Sequence, residues 1–200
     1  MNHLDIINRA LVAAGTNPRT LENMTEDDDN EVSSIKAYYE SCWRDVLSAH
    51  PWSQLLEEEI LTGEAEGVMY RFNLPEQCIR IASIYNSYGQ EALDVKRRGR
   101  YLYSRYDQLS LTFVSTSMIL PIDWDFLDNE IEADIPPAVD EVVSLRLSSQ
   151  IVFRVSQNQD LQTHLHNRYI VALQNAKMND MHGSGGQDPW TGVEYDEDII

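Results

Sequence analysis

The sequence predicts an α+β fold: an antiparallel helical bundle with an inserted antiparallel β domain and an extended C-terminal tail. Three observations predict it. Apolar residues recur at helical spacing in two segments before residue 50 and in two after residue 137. Between them the pattern shortens to period two, broken by turn residues. Beyond residue 182, Gly183, Gly185, Gly186, Pro189 and Gly192 crowd a segment without a single Lys or Arg. The corresponding divisions are 1–53 and 122–181 for the two parts of the bundle, 54–121 for the β insertion and 182–200 for the tail. With 200 residues, 42% of them hydrophobic, the chain is long enough to bury a core without disulfides or metals.

The first helix is expected from about Leu4 to Ala14, carried by Ile6, Ile7, Leu11 and Ala14 and stopped by Gly15 and Asn17-Pro18. A connector follows, with Leu21 and Met24 tucked back onto the core. Val32, Ile35, Tyr39, Cys42, Trp43 and Val46 then form one stripe of a long helix from about Asp28 to Ala49, ended by His50-Pro51. The acidic run Glu26-Asp27-Asp28-Asp29 with Glu31 sits where carboxylates oppose a helix macrodipole. In the insertion, four to six short strands are expected. Gly63 to Gly67 is turn-like, Cys78 to Tyr85 alternates with Ile79, Ile81 and, after a slip, Ile84 inside, and Leu109 to Val114 is the clearest strand. Val95 to Arg105 is a hairpin with glycine at its tip. Val139 to about Ser156 is a helix entered through Pro136-Pro137, and it is apolar on more than one side. The last helix carries Leu161, Leu165, Tyr169, Ala172, Leu173 and Ala176 and is expected to stop before His182-Gly183.

Fifteen basic against 33 acidic residues leave a net charge of -18. A field of that sign repels nucleic acid and anionic membranes. Cys42 and Cys78 are too few for a disulfide scaffold and read as reduced core thiols. No N-terminal targeting signal and no apolar run of about 18 residues appear, so the expected setting is a cytosol, with no membrane partner. No phosphate-binding loop, nucleophile elbow, zinc motif or dinucleotide turn is present, and no cofactor is expected. His164 and His166 lie about 200° apart on a helix and do not share a metal. Asp123, Asp125, Asp128, Glu130 and Glu132 lack the fixed glycine-centred spacing of a calcium loop. Glu57-Glu58-Glu59 are consecutive and cannot flank one glycosidic bond at the required separation. The chain reads as having no enzyme activity.

One cluster stands against this acidic background. Lys96, Arg97, Arg98, Arg100 and Arg105 fall within ten positions, interleaved with Tyr101, Tyr103 and Tyr106. Bases among aromatics can track a phosphate backbone. The preferred reading is an assembly contact, in which the arginines pair with the protein's own acids or with a neighbouring subunit's. In the tail, Trp190 and Tyr195 among acidic residues suit docking along a neighbour.

An ordered series of motifs carries a resemblance. Ala13-Ala14-Gly15-Thr16-Asn17-Pro18 precedes the acidic stretch and the long helix, which runs into Trp52 and Leu55-Leu56-Glu57-Glu58-Glu59. Asn73-Leu74-Pro75, the hairpin ending in Tyr101-Leu102-Tyr103-Ser104-Arg105, Asp134-Ile135-Pro136-Pro137 and two late helices follow in order. From about Leu4 to Met181 the chain resembles the tail tubular protein A family, the head-to-tail adaptors of short-tailed bacteriophages. The resemblance implies a structural protein of the virion, forming a dodecameric ring between the portal protein and the tail nozzle protein. Viral DNA would meet it only in transit through the lumen, and assembly would take place in the host cytoplasm. No catalytic residue carries over. The rival reading, a small phage-associated hydrolase acting on cell wall, finds no carboxylate pair here.

Overall fold

The computed structural model describes residues 2–26, 29–117, 119–131, 135–136 and 138–183. The chain is mixed helix and sheet, 48% helical and 24% strand, an α+β protein. Helix α1 (His3–Ala13) begins where Asn2 accepts from the Asp5 amide. Helix α3 (Asn30–Ser48) is capped by Asp29, which accepts from the Glu31 and Val32 amides. The Val32 hydrogen bond, with Arg19 alongside, holds the Asp29 carboxyl below its usual range. Arg19 also pairs with Glu31 at 2.6 Å. Asp29 and Glu31 of the acidic run therefore start a helix, as carboxylates at that end should, whereas Glu26 ends α2. The expected connector holds a short helix, α2 (Leu21–Glu26), which buries Met24.

Helices α4 (Val139–Ser156) and α5 (Gln159–Gly183) return after the strands. α4 packs against α1, α3 and α5, so its Leu145 and Val152 are buried as well as its main stripe. Ile6, Ile7, Leu11, Ile35, Tyr39, Trp43, Val142, Leu147, Ile151 and Leu165 belong to one core shared by these helices. No helix among the described residues is long and apolar enough to cross a membrane.

An aromatic group closes one end of this core. His3 meets Tyr39 and Trp43 edge to face at 5.7 and 6.0 Å, and Tyr39 lies 6.2 Å from Trp124. Burial raises the Tyr39 pKa, so its hydroxyl stays protonated, and it shares a 3.0 Å hydrogen bond with His3 Nδ1. Burial also lowers the His3 pKa from 6.5 to about 4. The unfolded chain then binds more protons than the folded one between those values. Stability is full above pH 6.5 and falls as the pH drops toward 4, by about 2–3 kcal/mol once partial exposure is discounted. Denaturant titrations at pH 7 and pH 4.5 should show a larger loss for the wild type than for His3→Gln. Equal losses would show that protonation of His3 is not resisted.

Among the described residues seven strands, more than the four to six expected, form two antiparallel sheets between α3 and α4 in the chain. They are β1 (Leu56–Thr62), β2 (Glu64–Glu66), β3 (Met69–Asn73), β4 (Cys78–Asn86), β5 (Lys96–Arg98), β6 (Tyr101–Ser104) and β7 (Gln108–Ser115). One sheet has the order β1-β7-β4, the other β2-β3-β6-β5. Leu61, Phe72, Leu74, Leu102, Leu109, Leu111 and Phe113 fill a second core. The segment read as a turn, Gly63 to Gly67, contains β2. The chain of β1 continues past Gly63 into the other sheet, where Glu64 and Glu66 pair with Arg71 and Met69 across β3. Gly63 permits the crossing. A Cβ there would lie 2.6 Å from Tyr70 Cβ and 2.7 Å from the Phe72 ring. Gly63→Ala should therefore cost about 1–3 kcal/mol by overpacking. An unchanged melting temperature would show that the corner yields freely.

β4 slips register twice, between Cys78 and Arg80 and between Ile81 and Ser83. Ile79 consequently packs on the helical core, whereas Ile81 and Ile84 pack on the second core. Both cysteines are free thiols. Cys42 is buried, which pushes its pKa up to about 12, while Cys78 is only half-buried.

Candidate functional site

The cationic cluster lies on the β5–β6 hairpin. Arg98 pairs with Tyr101 across a two-residue tip of Gly99 and Arg100. Gly99 supplies the positive φ, +62°, that such a tip demands. Leu102 is buried beneath the hairpin and anchors it to the second core. In the antiparallel register Lys96 opposes Tyr103, Arg97 opposes Leu102 and Arg98 opposes Tyr101. Alternation therefore sends Lys96 and Arg98 to the Tyr101 and Tyr103 side and Arg97 to the other.

Lys96, Arg97, Arg98, Arg100 and Arg105 are all exposed. None of them makes an ion pair with another described residue. Arg98 stacks over the Tyr103 ring, 5.5 Å from its centre, and Arg97 Nε donates to the Gly99 carbonyl at 3.1 Å. Both contacts orient the guanidinium groups without neutralising them. Partial burial raises the Cys78 pKa, and the nearby charges of Arg97 and Arg100 work against that rise.

The treatment of other arginines makes the contrast. Arg9 on α1 pairs with Asp140 on α4, Arg146 on α4 pairs with Asp45 on α3 at 2.7 Å, and Arg71 pairs with Glu64 at 2.6 Å. These cations tie elements together. The hairpin cations tie nothing within the described chain. β5 is the outer strand of its sheet, on the edge opposite β2. The acids nearest in kind, Glu57, Glu58 and Glu59, stand on β1, the strand that leads into β2. Three strand spacings, about 14 Å, separate β2 from β5.

Trp190 and Tyr195, the expected anchors of the tail, lie outside the described residues. The described helix α5 runs to Gly183, past the expected stop before His182. Asp180 helps hold it there. Its carboxylate is 2.9 Å from His50 Nε2 and accepts from the Ser53 hydroxyl at 2.7 Å and from the Ser53 amide. Sequence reasoning missed this cluster because Asp180 lies more than a hundred positions from His50 and Ser53, and no local signal marks it. Serine, histidine and aspartate do meet, but the carboxylate lies between the other two. A hydrolytic triad needs the imidazole in the middle, bonded to the serine. The arrangement instead caps the 3-10 turn Ser53–Leu55 and joins the end of α5 to the start of the strands.

The acidic loop after residue 120 is similarly local. Asp123 accepts from the Asp125 amide and caps the turn Trp124–Phe126. Among the described residues no group of His, Cys, Asp and Glu is placed to hold a metal ion. No family model matches the chain, and no curated protein matches it.

Proposed function

We propose that the chain is a structural head-to-tail adaptor of a short-tailed phage virion. Copies form a ring, dodecameric as the resemblance implies, that joins the portal protein to the tail nozzle protein and encircles the DNA during ejection. On this reading the helices form a bundle split by an inserted β domain, and the residues after Gly183 are an extended tail that docks on a neighbour through Trp190 and Tyr195. The observation that carries the proposal is the cationic hairpin, exposed and without ion pairs among the described residues, on a chain of net charge -18. A cluster of like charges left unneutralised on a small ribbon is a surface awaiting a complementary one. The acidic remainder supports the same reading, since a conduit that attracted phosphates would slow their passage.

The test is to locate the protein in particles. Mass spectrometry and cryo-electron microscopy of purified virions should find it at the portal vertex, between portal and nozzle. A protein missing from purified particles, and monomeric when mixed with its portal, would defeat the reading.

A further inference from the structure

We propose that copies of this chain join edge to edge, β5 of one copy pairing with β1 of the next, so that Lys96-Arg97-Arg98 lies against Glu57-Glu58-Glu59. The inference deepens the adaptor reading and rests on it for the closure of the chain of copies into a ring.

Both strands are outermost in their sheets. Each therefore carries a row of backbone N–H and C=O groups without a strand partner on one side, which is a template for another strand. One edge holds three consecutive acids, the other three consecutive bases. Any alignment that centres Arg97 on Glu58 places every base opposite an acid. In the antiparallel case Lys96 faces Glu59 and Arg98 faces Glu57. Directly opposed residues point to the same side of a sheet, so all three charge pairs meet.

The side chains are free to do so. Glu59 and all three bases are exposed, and Glu58 is exposed although it accepts from Ser110 at 2.6 Å. Glu57, which is partly buried, accepts from Ser117 at 2.9 Å, and each carboxylate keeps lone pairs for a second donor. Beside Glu58 on the same side of β1, Ile60 is 65% and Leu56 38% exposed, giving the seam apolar shoulders.

The acidic and basic triplets stand on edge strands of different sheets, and no ion pair joins them among the described residues. A contact between unlike edges leaves one of each kind open on the resulting pair, so the association propagates. Such heterologous contacts close into rings when the rotation between copies allows, and otherwise form filaments. The interface would join the two sheets of neighbouring copies into one.

Sedimentation velocity of the full chain over a range of protein concentration tests this with two charge-reversed variants. Arg97→Glu/Arg98→Glu makes both edges acidic; Glu58→Arg/Glu59→Arg makes both basic. All four positions are exposed, and circular dichroism would check that each variant is folded. The wild type should self-associate, less strongly at high salt. Each variant alone should associate about tenfold or more weakly, since opposed pairs become like-charged. An equimolar mixture should recover association, because each variant then offers the edge that the other needs. A wild type that stays monomeric at every concentration, variants that associate undiminished, or a mixture that fails to recover would each overturn the proposal. So would loss of binding to a short DNA duplex by Arg97→Glu/Arg98→Glu with self-association intact, since the hairpin would then serve nucleic acid. Edge-reversed variants that assemble normally in particles would defeat this contact alone. Exchange between edges in a protein missing from virions would defeat the adaptor reading alone.

Discussion

Trp43→Ala should lower the unfolding free energy by about 3–5 kcal/mol, the range for truncating a large buried aromatic. Trp43 is fully buried on the α3 stripe, with His3 and Tyr39 against its ring and α4 packed on the same helix. Few local rearrangements would fill the space, because its neighbours are held from both α1 and α3. One feature moderates the loss. Among the described residues the buried Trp43 Nε1–H makes no well-formed hydrogen bond, with only the Tyr39 hydroxyl close to it, so its removal gives up little. Trp43→Phe should accordingly cost much less than Trp43→Ala. Trp52 supplies the control. It is equally buried, but its Nε1 donates to the Val46 carbonyl at 3.0 Å, so Trp52→Phe gives up a hydrogen bond that Trp43→Phe does not. Urea denaturation of the three variants checks the order. A loss below about 1 kcal/mol for Trp43→Ala would mean that the face is not a packed interior.

The helices were legible because their apolar residues repeat within a few positions. Val32 through Val46 and Val139 through Val155 need no distant partner to define a face. The end of α5 was not legible. Gly183 reads locally as a stop, but Asp180 is anchored to His50 and Ser53, and that contact depends on residues far away in sequence. β2 was hidden for a related reason. Glu64-Ala65-Glu66 has no apolar alternation, and it becomes a strand because β1 crosses Gly63 and finds β3 alongside. The alternation of Ile79 and Ile81 was visible, yet they enter different cores, since a register slip is invisible to periodicity. At the hairpin the charges and the glycine tip were plain from sequence. That the bases sit on an outer strand follows only from the sheet order.

Phe113→Ala should also cost about 3–5 kcal/mol, and the loss should be felt in both halves of the structure. Phe113 is fully buried in the second core, on β7, the strand flanked by both β1 and β4. The next residue, Val114, points the other way and belongs to the helical core. β4 is divided likewise, with Ile79 on the helices and Ile81 on the second core. Asp180 adds a third link, from α5 to the turn that precedes β1. Two cores that share strands in this way should unfold as one unit. The described tryptophans make that measurable, since Trp43, Trp52 and Trp124 all lie outside β1 to β7 and belong to or pack on the helical core. Tryptophan fluorescence thus follows the helices and their surroundings, while circular dichroism follows all secondary structure. In Phe113→Ala both denaturation curves should shift together to lower urea, with coincident midpoints. If the fluorescence midpoint stays at its wild-type value while circular dichroism shows an early transition, the strands melt alone. The shared residues of β4 and β7 would then be contacts between separately folding units rather than the seam of a single cooperative one.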